Sequence, residues 1–99
     1  MDKKQLRAIG HNLKPVIIVG QKGISETLLA ETNRSLNDHE LIKVKLASAD
    51  RDTRKAQIEA MCASCNAELV QSIGKVALLY RKNPKPNPRT SNIIRGFAD

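Results

Sequence analysis

Residues 15–23 read PVIIVGQKG, and this run constrains the fold more than any other in the chain. Val16, Ile17, Ile18 and Val19 are consecutive β-branched residues, stiff at χ1 and better suited to a pleated surface than to a helix. An unbroken apolar run of that length predicts a strand buried on both faces. Pro15 ends whatever helix precedes it, because proline pushes the residue before it out of helical geometry. Gly20 and Gly23 then enclose Gln21 and Lys22 in a short loop. Ser25 follows as a candidate N-cap, with Glu26 suited to the positive end of a helix dipole. The segment predicts strand, glycine loop, helix.

The rest of the chain continues that alternation. Leu6, Ile9 and Leu13 recur at i, i+3 and i+7, one face of a short first helix. Leu28, Leu29 and Leu36 give the helix after the loop its apolar stripe, and NDHE breaks it. Residues 41–47 alternate, with Ile42, Val44 and Leu46 on one side and Lys43 and Lys45 on the other, which predicts a strand. Asp50 or Asp52 can cap a third helix, in which Ile58, Met61, Cys62 and Cys65 repeat at helical spacing. Residues 67–73 and 75–81 read as two strands around a Gly74-Lys75 hairpin turn. The predicted order is α-β-α-β-α-β-β.

At 99 residues with 40% hydrophobic content, the chain suits one domain with a single modest core. From Lys82 the composition shifts: KNPKPNPRTSN holds three prolines and no apolar residue. We therefore expect a domain over residues 1–83 and a Pro-rich, basic, flexible tail over 84–99. Arg81, Lys82, Lys85, Arg89 and Arg95 against Asp99 give residues 81–99 a net +4 of the chain's +7.

That charge, with a pI near 9.8, points to an anionic partner. The longest aliphatic run, Val16 to Val19, is far too short to span a bilayer, which takes roughly 20 residues. The N-terminus has charges but no apolar signal region, and two cysteines cannot form a disulfide framework, so a cytoplasmic location is expected.

A Gly-x-x-Gly loop between strand and helix has a specific chemical use. Glycine corners let the backbone lie against a ligand, and the free amides of the loop and first helical turn can meet a phosphate. Lys22 adds a point charge at the same place. The KH type of RNA-binding domain clamps a nucleic-acid backbone with such a loop. The alternative is a tight turn that needs glycine and binds nothing. Lys43 and Lys45 read either as a solvated sheet face or as phosphate contacts beside the loop.

The CASC motif at 62–65 suggests redox or metal chemistry, yet it lies at the end of a helix, whereas a reactive pair sits at a helix start. A closed zinc site needs four ligands, and His11 and His39 stand alone in sequence. Both cysteines are read as packing residues, and no metal, cofactor, small-molecule substrate or catalytic residue is expected. With Tyr80 and Phe97 as the only aromatics, base stacking cannot dominate, so nucleic-acid contact must be mainly to the backbone.

Three blocks in this order, LKPVIIVGQKGISE, HELIKVKLA and IGKVALLYRKNP, resemble the CRM domain family (chloroplast RNA splicing and ribosome maturation), in its stand-alone bacterial YhbY-type form. The likeness runs from about Leu6 to Pro84. It implies an α/β domain with a four-stranded mixed sheet, similar in shape to the C-terminal domain of bacterial initiation factor three. It also implies RNA contact at Gly20, Gln21, Lys22 and Gly23, and a role on precursors of the large ribosomal subunit. The expectation is a non-enzymatic protein binding ribosomal RNA during large-subunit assembly. Lys14, Lys43, Lys45 and Arg81 would widen the basic surface, and the tail would add non-specific attraction. Two alternatives are a protein–protein adaptor on the ribosome with RNA incidental, and a thiol redox protein.

Overall fold

The computed structural model describes residues 2–98; the side chains of Phe97 and Ala98, and all of Asp99, lie outside the described part. The elements are α1 (Lys3–Gly10), β1 (Pro15–Val19), α2 (Glu26–His39), β2 (Leu41–Leu46), α3 (Arg51–Cys65), β3 (Glu68–Ile73), β4 (Val76–Tyr80) and α4 (Asn92–Ala98). The strands form one mixed sheet in the order β1-β2-β4-β3. β1 and β2 are parallel, and β4 runs antiparallel to both β2 and β3. The α/β architecture and the four-stranded mixed sheet are those expected from the sequence.

Local chemistry sets the boundaries. Asp2 and Gln5 form a reciprocal capping box that starts α1. Ser25 caps α2 through Leu28 N–H, and Asp50, not Asp52, caps α3 through Thr53 N–H. α3 ends on Asn66, which sits in the left-handed region that asparagine tolerates better than most residues. Gly74 takes φ +56° in the β3–β4 turn.

The sheet is covered unequally. On one face α2 and α3 bury Ile17, Val19, Ile42, Val44, Leu46, Ala77 and Leu79 against Leu36, Ile58, Met61 and Cys65. On the other, Leu6 of α1 packs on Leu41, Val70 and Leu78, with Ile93 of α4 beside them. This second layer is short and stops partway along the sheet. Val16 and Ile18 are therefore 48% and 63% exposed, which corrects the expectation that β1 is buried on both faces. The run is apolar, but its outer side chains have no helix above them.

Gly10 marks how closely α1 approaches. A Cβ there would lie 2.6 Å from Leu78 Cδ1, and Leu78 is itself buried. Gly10→Ala should cost about 1–3 kcal/mol through overpacking, read as a lower midpoint in urea unfolding with unchanged m.

The proline-rich segment also departs from expectation. Residues 83–92 hydrogen-bond back to the α2–β2 junction, and the segment finishes in α4. Prolines remove donors, but Asn83, Thr90, Ser91 and Asn92 supply polar anchors that composition alone hides. Thr90 Oγ1 donates to Asp38 O at 2.7 Å, and Asn92 Nδ2 donates to Leu41 O at 2.7 Å. The hub is Glu40, buried at φ +62° between α2 and β2. Its carboxylate accepts from Asn83 N–H at 2.9 Å and Ser91 Oγ at 2.7 Å. Glu40→Gln removes the charge that strengthens both bonds and turns the Ser91 hydroxyl from donor to acceptor, which should cost about 1–3 kcal/mol. Faster tryptic cleavage after Arg89, with the rest of the domain protected, is the expected readout.

Candidate nucleic-acid interface

The carboxyl ends of β1 and β2, the starts of α2 and α3, and the β3–β4 turn all meet at one end of the sheet. Ala47 N–H donates to Val19 O at 2.9 Å, and Leu46 N–H donates to Lys75 O at 2.8 Å. In open α/β sheets this end is where the connecting loops can build a site.

The glycine loop is a tight turn closed by Gly23 N–H donating to Gly20 O at 3.0 Å. Neither Gln21 nor Lys22 has positive φ, which excludes type II and the mirror-image turns and leaves type I. Gly23, at φ +76°, is the corner that needs glycine, and an added Cβ would also meet Gln57 Nε2 at 3.4 Å. Gly20 is different. Its φ lies outside the left-handed range, and an added Cβ would meet no atom within 4 Å. Of the two corners, only Gly23 uses a backbone conformation that favours glycine.

Leu28 N–H is occupied by Ser25 Oγ at 3.1 Å. Among the described residues, the amides of Gln21, Lys22, Glu26 and Thr27 meet no acceptor. These donors, the exposed Lys22 and the positive end of the 14-residue α2 form an open anion cradle. Glu26 in the first turn offsets part of that field.

Two further groups of cations share this end, and the sequence reading missed them. Arg51 and Lys55 are exposed on the first turns of α3, and Lys75 is exposed in the hairpin turn. Arg54 donates through Nη1 to Ser48 O and Ala49 O, both at 2.9 Å, and so fixes the β2–α3 loop. A groove of about 490 Å³ runs between α3 and the hairpin, lined by Arg51, Arg54, Lys55, Ile58, Leu69 and Gly74 among others. Parallel pairing of β1 and β2 is the signal that could have found these residues. It carries the start of α3 to the same end as the glycine loop.

The other expected contacts are not gathered here. Lys14 precedes β1 at the opposite end of the strand, about 20 Å from Gly20 at strand rise. Lys43 and Lys45 lie on the sheet face away from α2 and α3; Lys45, paired with Ile18, is near the loop end but on that other face, and Lys43 Nζ donates to His11 O at 3.3 Å. Arg81 lies farthest from the loop. Its guanidinium donates to Cys65 O, Asn33 O and Asn37 Oδ1, each at 2.8 Å, and to Asn33 Oδ1. It joins α2 to α3 at the far end of the molecule from the loop. The C-terminal segment docks at that end too, so its cations do not surround the cradle.

Cys62 and Cys65 sit on the inner side of α3, and Cys65 Sγ lies 3.7 Å from Leu29 O. Burial pushes both thiols upward, away from the reactive range. Among the described residues no group of three or more His, Cys, Asp or Glu side chains could hold a metal, and no helix is long and apolar enough to cross a membrane.

The family model for the CRS1 / YhbY (CRM) domain matches residues 1–81. A Pseudomonas aeruginosa protein named "Probable RNA-binding protein" is 62% identical over 93 residues, covering 94% of this chain and 89% of its own. A Haemophilus influenzae protein named "RNA-binding protein" is 46% identical over 79 residues, 80% of each chain. Among solved structures, a Staphylococcus aureus protein described as "a putative RNA binding protein" superposes with a TM-score of 0.75. It is 31% identical and the match covers 90% of this chain and 92% of that one.

Proposed function

The chain belongs to the CRS1/YhbY (CRM) domain family, and from that premise we propose that it is a non-enzymatic RNA-binding protein whose cradle at Gly20–Gly23 seats a phosphate backbone. Free loop amides and Lys22 hold the phosphate, while Arg51, Lys55 and Lys75 extend the contact to neighbouring phosphates. In this reading the target is ribosomal RNA of the large-subunit precursor in the cytoplasm, as the family resemblance implies.

The observation that carries the reading is Gly20. Neither its φ nor its packing calls for glycine, so the absent side chain leaves room for something outside the chain. A nucleic-acid backbone approaching the amides needs that room. The scarcity of aromatics fits backbone contact over base stacking.

Binding to a fragment of large-subunit ribosomal RNA across a salt series tests the reading. Four cations at the cradle predict a slope of log K against log salt of about −3, at roughly −0.7 to −0.9 per neutralised phosphate. A flat response rules out the electrostatic grip.

A further inference from the structure

The face of the sheet opposite α2 and α3 is covered only in its lower half. In the half nearest the glycine loop, backbone register aligns Ile18, Lys45, Val76 and Ile73 in one row across all four strands. Ile18 and Ile73 are 63% and 66% exposed, more than any other large apolar side chain described. Beside the row, where α1 ends, is a depression of about 150 Å³ lined by His11, Lys43, Gln71, Ile73, Val76 and Leu78 among others. Apolar side chains this open to water, on a face that helices cover only in part, make the row a candidate interaction surface.

We propose that this half-face seats an acidic amphipathic helix of a partner protein, completing the layer that α1 and α4 begin. Ile18 to Ile73 spans three strand spacings, about 14 Å, which three turns of helix would cross. The partner's apolar residues would cover Ile18, Val76 and Ile73, with one of them entering the depression. Its carboxylates would meet Lys45, in the row itself, and Lys43, one outward position back toward α1 beside Leu78. Glu68, the carboxylate on the same face, lies at the covered end and pairs with Lys3 at 3.9 Å.

RNA is a poorer match, because branched aliphatic side chains offer no π-face to a base. A second copy is poorer too. A two-fold contact would oppose Lys45 with its own equivalent on a chain of net charge +7. The proposal is independent of the RNA reading, since none of these residues belongs to the cradle.

The test uses the full chain in its native cells with Ile73→p-benzoylphenylalanine as a photo-crosslinking probe, and the same probe at exposed Ala63 as control. We expect a protein adduct whose mapped peptide carries large apolar residues at three- and four-residue spacing among Asp and Glu. Adding Lys45→Glu should cut its yield at least tenfold. An adduct with RNA or with a second copy overturns the proposal. So does a protein peptide without carboxylates, or a yield no higher than that of the control. In vitro, Ile18→Ser/Ile73→Ser should bind the ribosomal RNA fragment within twofold of the parent; a tenfold loss would reassign the row to RNA and also overturn the proposal.

Discussion

The double variant Gly20→Val/Lys22→Glu is expected to bind the ribosomal RNA fragment about 30- to 100-fold more weakly at low salt, with a melting temperature within about 2 °C of the parent. The two halves act by different physics. A Cβ at position 20 meets no atom of the chain within 4 Å, which leaves the folded state room for a branched side chain, and losing a glycine reduces the freedom of the unfolded chain. Its cost falls on the ligand, because a branched side chain stands where the phosphate must approach. Glutamate at position 22 replaces a point attraction with a repulsion. Together they should remove roughly 2–3 kcal/mol of binding. Gly23→Ala is the contrast: at φ +76° a Cβ costs about 1–2 kcal/mol in backbone strain, so stability should fall with binding. Unchanged affinity in the double variant would mean that the amides are not the grip.

The fold was legible in the sequence where local patterns are short and strong. The β-branched run before Gly20, the alternation of Leu41–Leu46 and the Gly74-Lys75 turn placed all four strands, and Ser25 marked the start of α2. Register and coverage were not legible. Whether Ile18 faces a helix or water depends on how far α1 reaches along the sheet, a tertiary fact that no four-residue window contains. The C-terminal segment misled for a related reason. Its prolines read as disorder, while Ser91 and Asn83 are anchors only because Glu40, more than 40 residues earlier, is buried opposite them.

The candidate site divides along the same line. A turn requirement is local, so the loop could be found from its glycines and their position between strand and helix. Basic residues could not be sorted by type. Arg51, Lys55 and Lys75 reach the loop end only through the strand order, while Lys14 is carried to the other end by the length of β1.

Arg81, which charge alone assigns to the basic surface, yields the largest stability effect expected here. Arg81→Ala should destabilise the fold by about 3 kcal/mol, because hydrogen bonds from a charged donor each count for more than neutral ones. The guanidinium reaches Cys65 O at the last turn of α3, where carbonyls lack helical partners and the dipole favours a cation. It also meets Asn33 and Asn37 on α2. Removing it leaves these acceptors to partly excluded water and loosens α2 from α3. For a chain of this size the melting temperature should fall by roughly 12–20 °C. Arg81→Lys should recover less than half of that, since an ammonium cannot span acceptors on two helices with a planar fork. Below the melting transition, RNA affinity per folded molecule should match the parent, because the clamp lies at the far end from the cradle. A variant that melts like the parent but binds RNA tenfold more weakly would return Arg81 to the nucleic-acid surface and leave the helix junction held by something else.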